Sequence, residues 1–302
     1  MVAHVVSVGI AVLDRIHRVP GLPGGSGKFF ASGLQERGGG PAASGAVAIA
    51  RLGGRASLWS RVGEDAEGAL IRRELVREEV DVRAIRSCAT ARSSTASICI
   101  DPSGERQIVT FSDPGMDRDP GFLPISRLAA ADGVLADMRW PEGAALVLST
   151  AALCGIPSVL DADSVPERDR VEPLLGLASH VVFSEPALRN ATGIDDPETA
   201  LRALGRRLRG WLAVTLGAEG TISLDGDEVR HWPAFAVSVV DTTGAGDTFH
   251  GALALALAEH RPIAEALRFA TAAAAIKCTR PGGRAGIPNR REVDRFLEEN
   301  PQ

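Results

Sequence analysis

The sequence predicts an α/β protein built on a mostly parallel sheet with helices on both faces. Short apolar runs alternate with helical, Ala-rich stretches through most of the chain, the pattern of repeated βα units. The runs are nearly continuous in Val, Ile, Leu and Ala, as strands buried on both faces are. With 302 residues, 45% hydrophobic and 24% charged, the chain is long enough to close a large core around such a sheet.

In order, residues 5–10 (VVSVGI) read as a first buried strand ending near a site, with Asp14 directly after it. Residues 41–52 are helical in period and closed by Gly53-Gly54, and residues 56–62 form the next strand. The alternation continues with strands at 133–136, 158–161, 180–184 and 211–216 and helices at 143–154 and 200–208. A strand through Val239-Val240 is expected before a Gly-rich turn and an apolar helix at 250–258, and a further Ala-rich helix covers 269–276.

Two stretches depart from this rhythm. Residues 13–32 and 93–111 carry β-branched runs joined by Gly and Pro turns, and they predict hairpins projecting from the core. Lid segments at about 12–33 and 93–112 would then lie over the strand ends, where open α/β sheets bind ligands. No linker or repeat divides the chain, so a single domain over 1–302 is expected.

Composition excludes several classes of function. A net charge of −5 with scattered arginines argues against nucleic acid as a partner. No apolar run is long enough to span a bilayer and no cleavage-site signature follows Met1, which predicts a cytoplasmic protein without a membrane partner. Cys88, Cys99, Cys154 and Cys278 have neither zinc nor disulfide spacing and are expected as reduced thiols. Of 33 basic residues only Lys28 and Lys277 are lysines, so each lysine is a candidate for a specific chemical need.

Residues 239–249 (VVDTTGAGDTF) carry the strongest chemical signal. Small residues at Gly244, Ala245 and Gly246 let backbone N–H groups face an incoming phosphate, and a helix N-terminus adds partial positive charge. Asp247 at the end of the turn can take a hydroxyl proton while those amides stabilise a transferring phosphoryl group. A plain helix N-cap is the competing reading of Asp247.

This run closely resembles the C-terminal signature of the PfkB, or ribokinase-like, carbohydrate kinases. Gly38-Gly39-Gly40-Pro41-Ala42-Ala43 is similar to that family's N-terminal signature, and Thr215-Leu216-Gly217-Ala218-Glu219-Gly220 to its nucleotide-side turn. The resemblance spans essentially the whole chain. It implies a three-layer ribokinase-like core with a small β lid, ATP and Mg2+ as cofactors, Asp247 as base, and Gly244, Ala245 and Gly246 as anion hole. Asp14, Gly39 and Gly40 would bind the sugar. Ser184, Glu185, Thr215, Gly217, Gly220, Ala272, Ala275 and Lys277 would border the nucleotide. Loop 282–286 with Asp241 and Thr243 would offer a place for K+ or another monovalent cation.

Within the family, Gly27-Lys28, residues 135–140, residues 183–186 and residues 277–288 most resemble the 6-deoxy-6-sulfofructose kinases. That likeness implies transfer to the 1-hydroxyl of the sulfonated ketose, with Lys28, Arg139 and Thr110 on the sulfonate. Other ketoses or sugar acids, such as fructose and 2-keto-3-deoxygluconate, are the alternatives. Ala43 and Ala187 replace family side chains, which leaves a silent sugar or nucleotide binder as the competing class. Apolar residues of the lid, Ile98, Ile100, Ile108 and Phe111, predict a homodimer formed through it.

Overall fold

The computed structural model describes residues 2–163 and 172–301. Its central sheet has nine strands: β1 (His4–Val8), β4 (Arg55–Gly63), β5 (Ile85–Cys88), β8 (Gly133–Asp137), β9 (Ser158–Ala162), β10 (His180–Ser184), β11 (Trp211–Thr215), β12 (Thr221–Asp225) and β13 (Glu228–Trp232). Their order is β13-β12-β11-β10-β9-β8-β1-β4-β5, parallel from β11 to β5, with β12 and β13 added antiparallel. The chain runs outward from β1 through β4 and β5, then returns to lay β8 on the other side of β1. The order thus reverses between β1 and β8, where open α/β sheets form their crevice.

Alternation along each strand feeds two cores. Val5, Leu58 and Leu135 point to one face, under helices α1 (Pro41–Arg51), α2 (Ala66–Arg77), α6 (Ala245–Ala258), α7 (Ile263–Cys278) and α8 (Arg290–Glu299). Val6, Val8, Trp59 and Val134 point to the other, under α3 (Pro141–Cys154), α4 (Glu185–Thr192) and α5 (Pro197–Gly205). Each fully buried Leu or Val contributes roughly 1.5–3 kcal/mol of transfer free energy, so these two layers carry most of the stability. All four cysteines are free thiols.

The lid is a separate sheet of β2 (Val12–Arg18), β3 (Gly33–Gly39), β6 (Ser94–Ile100) and β7 (Arg106–Phe111), in the order β3-β2-β6-β7. Its first pair reaches Gly39, beyond the limit at residue 33 drawn from sequence, because the polar run Gln35-Glu36-Arg37 and the glycines after it have weak strand propensity and conceal β3. Register places Asp14, Ala96 and Thr110 in one row on one face. Ile98 is buried on that face beside Ile16, contrary to the expectation that it is exposed. Leu34, Val109 and Phe111 project from the opposite face, 60%, 68% and 45% exposed.

The strand expected through Val239-Val240 does not form. Both side chains are exposed, and Val240 N–H bonds instead to Cys278 O at the end of α7. With their backbone already paired to a helix end, these residues have no sheet edge to join.

Helices α1 and α6 meet at glycines. A Cβ on Gly251 would stand 2.6 Å from Gly45 O and 2.9 Å from the Ala48 Cβ. This close approach seats the middle of α6 against the middle of α1. Gly251→Val should therefore lower stability by about 1–3 kcal/mol through overpacking and reduce turnover, read as a lower denaturant midpoint at unchanged slope.

Candidate active site

At the C-terminal end of β8 the buried carboxylate of Asp137 accepts N–H bonds from Ile10 (2.9 Å), Ala42 (3.1 Å) and Arg139 (2.8 Å). It thereby ties the end of β1, the first turn of α1 and the β8–α3 connection to one point. Gly9 has no room for a Cβ because that carboxylate fills the space.

The glycine run before α1 is explained in the same way. A Cβ on Gly38 would overlap the Arg284 guanidinium and one on Gly39 the Asp14 carboxylate, while Gly40 turns at φ 91° beneath Ile10 O. Arg284 is buried, donating to Ser44 Oγ (3.0 Å) and Gly39 O. Burial pushes Asp14 up to about 6, with Arg284 opposing the shift and Glu74 adding to it.

Asp247 is the third residue of α6, whose N-cap is Gly244 at φ 76°. It is not a cap, so the N-cap reading fails. Ala245 N–H bonds back to Thr242 O at 3.1 Å, whereas the N–H groups of Gly246 and Asp247 fall in the first helical turn, where no intrahelical carbonyl is in reach. Burial of the carboxyl raises Asp247 to about 7; Asp161 adds repulsion, and His250 and Arg284 oppose it. A carboxylate poised near neutrality beside free helix amides is chemically equipped to accept a proton as negative charge develops next to it.

Asp161, His250 and Arg284 were not singled out from sequence. Asp161 and His250 are buried side by side, 3.4 Å between Oδ2 and Nδ1. Asp161 lies on strand β9 and His250 on helix α6, and only the packing of that helix on the sheet discloses their proximity. Arg106 is another such residue. It stands on the Asp14 face of β7 and donates to Thr243 Oγ1 (2.6 Å) and Thr242 Oγ1 (3.3 Å), joining lid and anion turn.

The remaining expected residues divide. Thr110 shares the Asp14 row, and Arg139 lies at the sheet crevice, 3.8 Å from Asp163, with its side chain 36% exposed. Lys28 is in an exposed stretch between β2 and β3. Ser184 caps α4, accepting from Ala187 N–H and donating to Asp163, and Glu185 pairs with Arg189 at 3.1 Å. Thr215 ends β11, and Gly217 is exposed in the turn after it.

Three expectations for the nucleotide wall need correction. Gly220 is buried, and its φ of 97° and closeness to Trp232 O show a glycine required by the β11–β12 turn. Ala272 is sealed in the core and Ala275 is only 8% exposed; the open stripe of α7 is Thr271, Ala274 and Cys278. Helical period alone left the rotation of α7 undetermined. Lys277 is fully buried, with Nζ donating to Asp241 O at 2.7 Å, so its ammonium faces the turn and not a wall.

The profile of the pfkB family carbohydrate kinases matches residues 2–290. The chain belongs to this family. As a PfkB carbohydrate kinase it is a sugar phosphotransferase. It is 32% identical to a fructokinase of Klebsiella pneumoniae over 96% of this chain and 98% of the relative. Among solved structures, a candidate ribokinase from Agrobacterium tumefaciens superposes with a TM-score of 0.92 at 39% identity, over 99% of this chain and 98% of the other. The Arabidopsis thaliana ribokinase complexed with ribose and ATP superposes with a TM-score of 0.84 at 26% identity, covering 99% of each chain. These ribokinase folds share the PfkB kinase's parallel core.

Asp247 links activity and stability in opposite senses. Its folded value of about 7 lies above 3.8, so the native state holds the proton more tightly and stability falls as pH rises from 3.8 to about 7, then levels. Asp247→Asn should melt higher than the parent at pH 8 but lose turnover by orders of magnitude. In the parent, kcat/KM should rise with pH to half its plateau near 7. A melting point lowered by the substitution at pH 8 would contradict the raised pKa.

Proposed function

We propose that the chain transfers the γ-phosphoryl group of ATP to the 1-hydroxyl of 6-deoxy-6-sulfofructose, with Asp247 as base. The observation that carries the transfer is Asp247 itself, a near-neutral carboxyl in the first turn of α6 beside unpaired helix amides. Asp14 holds sugar hydroxyls from the lid, next to Gly39 and Gly40, and Gly244 and Gly246 keep the anion turn open. ATP as donor is supported by the nucleotide in the Arabidopsis relative, and Mg2+ arrives with it. Thr215, Gly217 and the Ser184–Glu185 corner border the nucleotide at the ends of β10 and β11, and the Thr271, Ala274 and Cys278 stripe flanks the base.

The sulfonate reading rests on charge. Arg139 is a half-open guanidinium at the crevice, its backbone held by Asp137, and a planar fork suits a three-oxygen anion. Thr110 donates from the Asp14 face of the lid, and Lys28 enters from the β2–β3 connection when the lid covers the sugar. A neutral ketose is the second reading, favoured by the fructokinase name of the Klebsiella relative.

A coupled ADP-release assay with sulfofructose, fructose, ribose and 2-keto-3-deoxygluconate separates the two. Sulfofructose should be the preferred acceptor. Arg139→Gln and Lys28→Met should each weaken its use by about 1.5–3 kcal/mol, the worth of a hydrogen bond to a charged group, without changing the KM for ATP. Preference for fructose, with both variants neutral, would assign the second reading.

The outward apolar face of the lid, Leu34, Val109 and Phe111, is the surface of a homodimer in this reading. Light scattering should give twice the chain mass, and Val109→Lys with Phe111→Lys should give monomers.

A further inference from the structure

Asp241, at the entrance to the anion turn, has its polar groups engaged by the C-terminal end of α7, the loop after it and the turn itself. Its N–H donates to Cys278 O (3.1 Å), and its O accepts from Lys277 Nζ (2.7 Å). Its carboxylate accepts from Thr243 N–H at Oδ1 and Gly282 N–H at Oδ2, both 2.8 Å, and Oδ2 lies 3.8 Å from Lys277 Nζ. Loop 282–286, where a monovalent cation was expected beside Asp241 and Thr243, sends its one charged side chain, Arg284, inward to Ser44 and Gly39.

An ion held here would need the Asp241 oxygens, and the Lys277 ammonium already stands among them, bonded to the backbone O and 3.8 Å from Oδ2. A monovalent cation and an ammonium group have the same charge and similar compactness, whereas a guanidinium is broad and planar. Lys277 has no solvent exposure, and a lysine so deeply buried persists only with paired charge. In a chain with one other lysine, lysine stands at this place rather than arginine. Burial draws the Lys277 pKa down and Asp241 opposes that shift.

We infer that the Lys277 ammonium is this enzyme's built-in monovalent cation: it holds Asp241 and hence the anion turn in position, and makes turnover independent of added K+. Lys277 is a positioning residue, acting on the transferring phosphoryl group through Asp241 and the turn. The inference rests on the chain being a kinase that uses this turn, not on which sugar it takes.

The test compares the parent, Lys277→Ala and Lys277→Met in tetramethylammonium chloride, with K+ or NH4+ replacing it at constant ionic strength. Turnover is read with whichever acceptor of the sugar panel is used, and melting of the ligand-free protein is read in parallel, so an error in the sugar leaves the second readout intact. Parent turnover and melting point should ignore K+ and NH4+. Lys277→Ala should lose on the order of a hundredfold in turnover, the effect of a reacting group misplaced by about 1 Å. Part of that loss, and of the melting point, should return with NH4+ or K+, which fit the vacated space. Lys277→Met, which fills that space with an uncharged chain, should not be rescued. Activation of the parent by K+ overturns the inference, as does a folded Lys277→Ala that no cation restores. Where neither variant folds, the parent's cation titration decides alone.

Discussion

The site depends on one buried carboxylate, Asp137. By accepting N–H groups from Ile10, Ala42 and Arg139, it fixes the end of the central strand, the start of α1 and the turn leading to α3 at a common point. Three N–H bonds oppose the cost of removing this carboxylate from water without cancelling it, and burial still raises its pKa. Everything placed relative to β1 and α1 inherits that position: the lid strand that follows β1, the glycines before α1, and α6, which lies against α1 at Gly45 and Gly251. A point constraint at the switch in strand order therefore sets the geometry of residues distant from it in sequence.

Charge imbalance is the second organising feature. Asp14, Asp161 and Asp247 all have raised pKa values, each with desolvation as the leading cause. Arg284, buried among Glu74, Asp14 and Asp247, opposes the shifts of Asp14 and Asp247, and Arg139 opposes that of Asp161. The compensation is incomplete, and this leaves Asp247 near neutrality. A fully neutralised site would be more stable and would leave Asp247 without a pKa near 7.

Much of this was legible in the sequence. The βα rhythm located most parallel strands because a near-continuous apolar run is the direct imprint of two-sided burial. The Gly-rich turn exposed Asp247 because its local geometry is encoded within a few residues. What stayed hidden depends on tertiary placement. Strand β3 has a polar composition that only its pairing with β2 explains, and Val239-Val240 looked like a strand because exposed apolar residues imitate one. Ala272 and Ala275 were assigned to the wrong side of α7, since a helix that is apolar nearly all round does not announce which narrow stripe is open. Arg284, Asp161 and His250 come from separate segments, and no pattern along the chain brings them together. Lys277 was noticed for its rarity, but its partner was identified only by the path of the backbone at Asp241.

The lid is not a free flap. Strand β3 continues without a linker through Gly40 into α1, and its last carbonyl is tethered by Arg284 from the far end of the chain. A hinge of one residue has almost no slack, so displacement of the lid must be transmitted as tension to α1. Because α1 touches α6 at bare glycine backbone, that tension meets little compressible side chain on its way to Asp247. The arrangement acts as a stiff lever: displacement of the lid would be felt at the turn that carries Asp247 rather than absorbed between them.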